Sequence, residues 1–119
     1  MTPEGFFRDD AFGLTLFEKV LAVLSHHGRV EVRTSKSQIA FRRRRGFAYL
    51  WLPDMYLGDR AAGIVVLSFA LGRSEDSPRF KQVTKVAPAH WMHHLEISDP
   101  SAIDAQVVAW LHEAADRAG

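Results

Sequence analysis

The chain contains no cysteine. That absence removes a disulfide framework, a thiolate nucleophile and any sulfur-ligated metal site, and it fits a reducing compartment. Long apolar runs are missing as well. The longest nearly apolar stretch, residues 61–72, lies between Arg60 and Arg73 and is interrupted by Ser68. A membrane-spanning helix needs about 20 such residues. The opening Met1-Thr2-Pro3-Glu4-Gly5 lacks the basic start and apolar stretch of a secretory signal. A cytoplasmic protein with no membrane partner is the expectation. There is no phosphate-cradling glycine loop and no dinucleotide fingerprint. Ser68, within Leu67-Ser68-Phe69, lacks the glycines of a nucleophile elbow. Neither a cofactor nor a bound metal is expected. Repeats, low-complexity tracts and linkers are also absent, so residues 1–119 read as one domain.

What is present is ordinary globular material, 47% hydrophobic and 24% charged. The formal net charge is only +1, but residues 29–45 carry seven cations against the single acid Glu31. The whole protein is no general polyanion binder, yet one segment is locally cationic.

Periodicity divides the chain into helix, strands and helix. Leu16, Val20 and Leu24 recur every four residues with Phe12, Phe17 and Leu21 beside them, predicting a helix from about Phe12 to His27. Asp9, Asp10 or a Thr15/Glu18 capping box could start it, and Gly28 stops it. His26 and His27 would then favour the negative end of the helix dipole. Strands are predicted at Val30–Arg33, Ser37–Arg43, Phe47–Leu52, Ile64–Leu71, Gln82–Val86 and Trp91–Ile97. Residues 53–60 read as turn-rich and 72–79 as a polar loop. Asp99 and Pro100 have the chemistry of a helix start, and Ile103, Val107, Trp110, Leu111 and Ala114 form its apolar stripe. The gaps between strands are too short for helical crossovers. The expected fold is therefore α+β: an antiparallel sheet of five to six strands with an N-terminal and a C-terminal helix on one face.

Two clusters could carry chemistry. Arg42-Arg43-Arg44-Arg45 could grip phosphate or carboxylate, with Phe47, Tyr49 and Trp51 downstream to stack on bases. The plainer reading is a solvated hairpin tip over aromatics that share strand parity and serve the core. If Ile39 and Phe41 face the core, Lys36, Gln38, Arg42 and Arg44 line up on the opposite face. His90, His93 and His94 form the second cluster, but neighbours on a strand point apart, which disfavours a shared metal.

Taken together, these stretches have a familiar arrangement: the Leu16-Phe17 helix, Val30-Glu31-Val32, Ser35-Lys36-Ser37-Gln38-Ile39-Ala40-Phe41-Arg42, Gly46-Phe47-Ala48, Pro78-Arg79-Phe80, Trp91-Met92-His93-His94 and the helix after Asp99-Pro100. The chain resembles a family of small bacterial α+β domains of unknown function, found alone and as a C-terminal module. Lys36, Phe41, Phe47, Arg79 and His94 occupy positions of that family's pattern. With no established activity in the family, the resemblance implies the fold and no catalytic role.

The functional expectation is a non-enzymatic binding or accessory module, homodimeric in its simplest form, that recognises an anionic small ligand or an acidic protein surface. Its candidate contacts are Lys36, Gln38, Arg42, Arg44, Arg79 and His94. A small hydrolase or transferase using His93 or His94 as general base is the alternative. Single-stranded nucleic-acid binding ranks below both, because a broader basic face would be needed.

Overall fold

The computed structural model describes residues 1–8, 10–53 and 64–119. Two helices open the chain. Thr2 caps a short helix α1, Pro3–Phe7, by accepting a hydrogen bond from the Gly5 amide. Asp10 caps α2, Ala11–His27, by accepting from Gly13. The Thr15/Glu18 box is therefore interior to α2, and Asp9 lies outside the described residues. Helix α1 was not foreseen, although Thr-Pro-Glu is a start signal.

Gly13 shows why the two helices pack closely. A Cβ at this position would fall inside van der Waals distance of the Phe7 ring. Gly13→Ala should destabilise the fold by roughly 1–3 kcal/mol through overpacking, despite alanine's better helix propensity. Urea denaturation checks this, and pairing the change with Phe7→Leu should restore part of the loss.

Six strands follow: β1 Glu31–Thr34, β2 Ile39–Arg42, β3 Gly46–Trp51, β4 Val65–Leu71, β5 Gln82–Ala87 and β6 His90–Ile97. They form one antiparallel sheet in the order β1-β2-β3-β4-β6-β5. Every residue of β4 is buried, as its two-sided apolar sequence requires. Its neighbours are β3 and β6, so the last hairpin turns back to place β5 at the edge. Of the turn-rich reading of residues 53–60, all but Pro53 lies outside the described residues.

The C-terminal helix begins later than its sequence suggests. Asp99 caps only a one-turn 3-10 helix, Pro100–Ala102, and Asp104 caps the true helix α3, Ala105–Arg117. Both aspartates offer the same chemistry, and Ile103, buried between the two turns, separates them. Helices α2 and α3 cover one face of the sheet. Phe17 of α2 stacks on Phe41 at 5.8 Å, and Trp110 of α3 stacks on Phe69 at 5.9 Å. Ile39, Phe41, Ala48, Leu50, Leu67, Phe69, Leu95 and Ile97 fill the layer between. The ends of α2 and α3 are tied together where His27 bonds Asp116 at 2.8 Å and stacks on His112. No helix among the described residues is long and apolar enough to cross a membrane.

Candidate functional site

Strand alternation places the site. Ile39 and Phe41 are wholly buried beneath the helices, so their neighbours point to the opposite face, open in that no helix among the described residues covers it. The register brings Gln82, His94, Ser68, Tyr49 and Ala40 side by side in a row across five strands. A β-bulge beside Phe41 and Arg42 alters β3. It sends Phe47 into the core together with Ala48, while Tyr49 and Trp51 turn to the open face. The shared parity of Phe47, Tyr49 and Trp51 read from the sequence is thereby broken. An extra residue in one strand shifts everything after it.

Three of these side chains are bonded into a unit. The Trp51 indole N–H donates to Ser68 Oγ at 2.9 Å, and Ser68 Oγ lies 2.7 Å from His94 Nδ1. Trp51 also meets the His94 ring edge-on. Burial pushes the His94 pKa down, so the imidazole is neutral at pH 7. When the Ser68 hydroxyl donates to Nδ1, Nε2 carries the ring's hydrogen and faces a ligand as a donor. Ser68 itself is 3% exposed and forms part of the floor.

Two hollows meet at Trp51 and His94. One, about 280 Å³, is lined by Gln38, Tyr49, Trp51, Ser68, Met92 and His94. The other, about 290 Å³, runs towards β5 over Val66, Lys81, Gln82 and Glu96. Both have aromatic or aliphatic floors with a few polar groups, the composition of a small-molecule site. Arg42 stands at the Tyr49 end. A Cβ on Gly46 would meet the Tyr49 hydroxyl and lie 3.3 Å from Arg42 Nη1, so the phenol and the guanidinium share the space above that glycine. Among the described residues, Arg42 pairs with no carboxylate.

The six expected contacts do not all converge. Gln38, Arg42 and His94 share the open face. Lys36 is exposed at the β1–β2 turn, which the Ser35 hydroxyl organises by accepting from the Ser37 and Gln38 amides. Arg44 leaves the row because the chain bends at residues 43–45; its amide bonds the Ala118 carbonyl instead. Arg79 lies on the helix side. Its guanidinium donates to both Asp104 oxygens, Gln106 and the Ala102 carbonyl, and sits 5.9 Å from the Trp110 ring centre. It clamps the start of α3 and reaches no open-face ligand.

The three histidines likewise separate. His93 is 0% exposed and stacks on Phe69 at 5.6 Å with rings nearly parallel. Its Nε2 accepts from the Glu75 amide at 3.0 Å, which leaves Nδ1–H to donate to the Trp91 carbonyl at 3.1 Å. Both nitrogens are committed, so His93 has no lone pair to offer as a base. His90 lies 3.4 Å from the Arg117 guanidinium. No group of three or more metal-ligating side chains is assembled among the described residues.

Trp51, Ser68, Tyr49 and Met92 were not among the expected contacts. Ser68 left one trace, as the lone hydroxyl in an apolar strand. Its pairing with His94 depends on β6 lying beside β4, which no local pattern encodes.

Fold and site together define an α+β domain: two long helices on one face of a six-stranded antiparallel sheet, and an amphipathic hollow on the other. Residues 4–117 match the family described as a domain of unknown function (DUF5655), and the chain belongs to that family. No curated protein and no solved structure matches it.

Proposed function

We propose that this domain is a non-enzymatic binding module whose open sheet face takes a small anionic ligand with a flat apolar body. The observation that carries the reading is the bonded Trp51–Ser68–His94 unit where two hollows meet, with the Arg42 guanidinium at one end. Tyr49, Trp51 and Met92 offer apolar contact, Gln38 and His94 Nε2–H offer hydrogen bonds, and Arg42 offers the charge. Concave hollows of this size suit a small molecule better than a flat acidic protein surface. A chain without cysteine suits the reducing cytoplasm, and the same proposal places it there.

The four consecutive arginines also weigh against extended nucleic acid. Arg42 serves the open face, whereas Arg43 bonds the Arg29 and Ala115 carbonyls on the helix side. No continuous basic strip results.

Calorimetric titration with 2-naphthoate, a flat aromatic carboxylate, tests the proposal. One site per chain is expected, and Arg42→Glu should weaken it at least about tenfold, since reversal replaces an attraction with a repulsion. Equal affinity in wild type and Arg42→Glu would remove Arg42 from the site.

The 2.7 Å contact between Ser68 Oγ and His94 Nδ1 favours a second reading, a histidine-assisted hydrolase. Against it, Ser68 is nearly inaccessible and its oxygen also accepts the Trp51 indole proton. Covalent labelling of Ser68 by a fluorophosphonate would favour catalysis over binding.

A further inference from the structure

The sheet has two edges, and they are built differently. β5 is blunted: its pairing with β6 slips at a bulge between Lys85 and Ala87, leaving Val86 out of register. β1 is regular. All four of its residues pair with β2 in unbroken register, and no strand among the described residues lies on its outer side. Its outward backbone N–H and C=O groups are therefore a template for another strand.

The side chains of β1 say which strand fits. Glu31, Val32 and Arg33 are all exposed. Val32 stands opposite Phe41, on the helix side, and Glu31 stands opposite Arg42, on the open face with Arg33. Neither Glu31 nor Arg33 closes an ion pair among the described residues. Charges on an edge strand commonly serve only to repel other strands. Here an acid and a cation flank one valine, so the strand is complementary to itself.

Symmetry selects the register. In two copies paired antiparallel about a two-fold axis, one residue faces its own counterpart. With Glu31 at the axis, acid meets acid and Arg29 meets Arg33. With Arg33 there, cation meets cation. Thr34 at the axis sets Val32 against Lys36. With Val32 at the axis, the two valines pack together and each Glu31 meets the partner's Arg33. Opposite charges directly across an antiparallel pair attract and like charges repel, so only this register satisfies both.

We infer that β1 pairs with β1 of a second copy of this chain, antiparallel and centred on Val32, joining the two sheets edge to edge. The helices of both copies then lie on one side and both open faces on the other. Glu31 stands between Arg42 of its own chain and the partner's Arg33. The pairing needs no ligand, so it holds or fails apart from the open-face reading.

Sedimentation equilibrium of the full chain over a range of concentrations tests it. Four residues a side make a short interface. A monomer–dimer equilibrium is expected, with a dissociation constant on the order of 10–100 μM. Glu31→Arg and Arg33→Glu each set like charges face to face on both sides of the axis and should weaken dimerisation at least about tenfold. Both positions are exposed, so the variants should fold. Mixing the two variants should restore a dimer, because one copy then offers two cations and the other two acids. The double variant Glu31→Arg/Arg33→Glu should dimerise like wild type. A monomer at every concentration up to about 1 mM would overturn the proposal. So would a dimer that the single substitutions leave unchanged, or one that the mixture fails to restore.

Discussion

Lowering the pH from about 7 to about 5 should destabilise the protein, because the fold keeps histidines neutral that the unfolded chain would protonate below about 6.5. Three histidines contribute. Burial comes first in lowering the pKa of His90, His93 and His94; after it come Arg117 and Arg45 at His90, Arg73 at His93, and His93 at His94. A histidine with a depressed folded pKa takes up a proton more readily in the unfolded chain. Its contribution is therefore fully present above the unfolded value near 6.5, and it is lost as pH falls from there through the folded value. His93 is the strongest case. Protonating Nε2 would set an N–H against the Glu75 amide that now donates to it, inside a fully buried aromatic stack. Urea denaturation at several pH values between about 7 and 5 should show stability falling as the pH falls, with net proton uptake on unfolding. Replacing His93 by Gln should make that fall shallower, at the expense of lower stability at pH 7. A flat profile over this range would contradict the neutral assignments.

Phe69→Ala should destabilise the domain by roughly 3–5 kcal/mol. Phe69 sits in the central strand β4 and is wholly buried. Its ring stacks with His93 at 5.6 Å and with Trp110 at 5.9 Å, and it meets Phe80 edge-on at 5.8 Å. Removal opens a cavity beneath α3 and takes away the surface on which His93 lies. Collapse cannot refill it, because the loop before β5 is tied to α3 by Arg73 to Glu113 and by Arg79 to Asp104. A domain with about 5–15 kcal/mol of total stability would lose a large share of it. Phe69→Leu, which keeps most of the volume, should cost much less. The comparison is read from the urea midpoints of the two variants.

The fold was largely legible because its signals are periodic. Leu16, Val20 and Leu24 marked α2, the two-sided apolar run of β4 marked a central strand, and the parity of Ile39 and Phe41 named the buried face of β2. Short or locally ambiguous features escaped. Helix α1 has only five residues and no repeating stripe, and Asp99 and Asp104 are chemically equal caps between which only packing chooses. The site was legible in part. Parity placed Gln38, Arg42 and His94 on the open face, but it could not show the chain bending at Arg43–Arg45, nor a bulge that parts Phe47 from Tyr49 and Trp51. Arg79 was misplaced because its partners, Asp104 and Gln106, lie some two dozen residues away. Ser68 and His94 meet for a similar reason: strand order, not sequence distance, makes them neighbours.

Whether the open face receives a ligand is most directly tested by titrating the isotope-labelled protein with 2-naphthoate and following its nitrogen–proton NMR spectrum. The Trp51 indole N–H is a reporter inside the bonded unit, whereas the Trp110 indole lies under α3 on the other side of the sheet. Saturating shifts at the Trp51 indole and at the Tyr49, Ser68 and His94 amides, with Trp110 still, are the predicted result. Shifts confined to the helical face, or none at the Trp51 indole while naphthoate binds elsewhere, would contradict it.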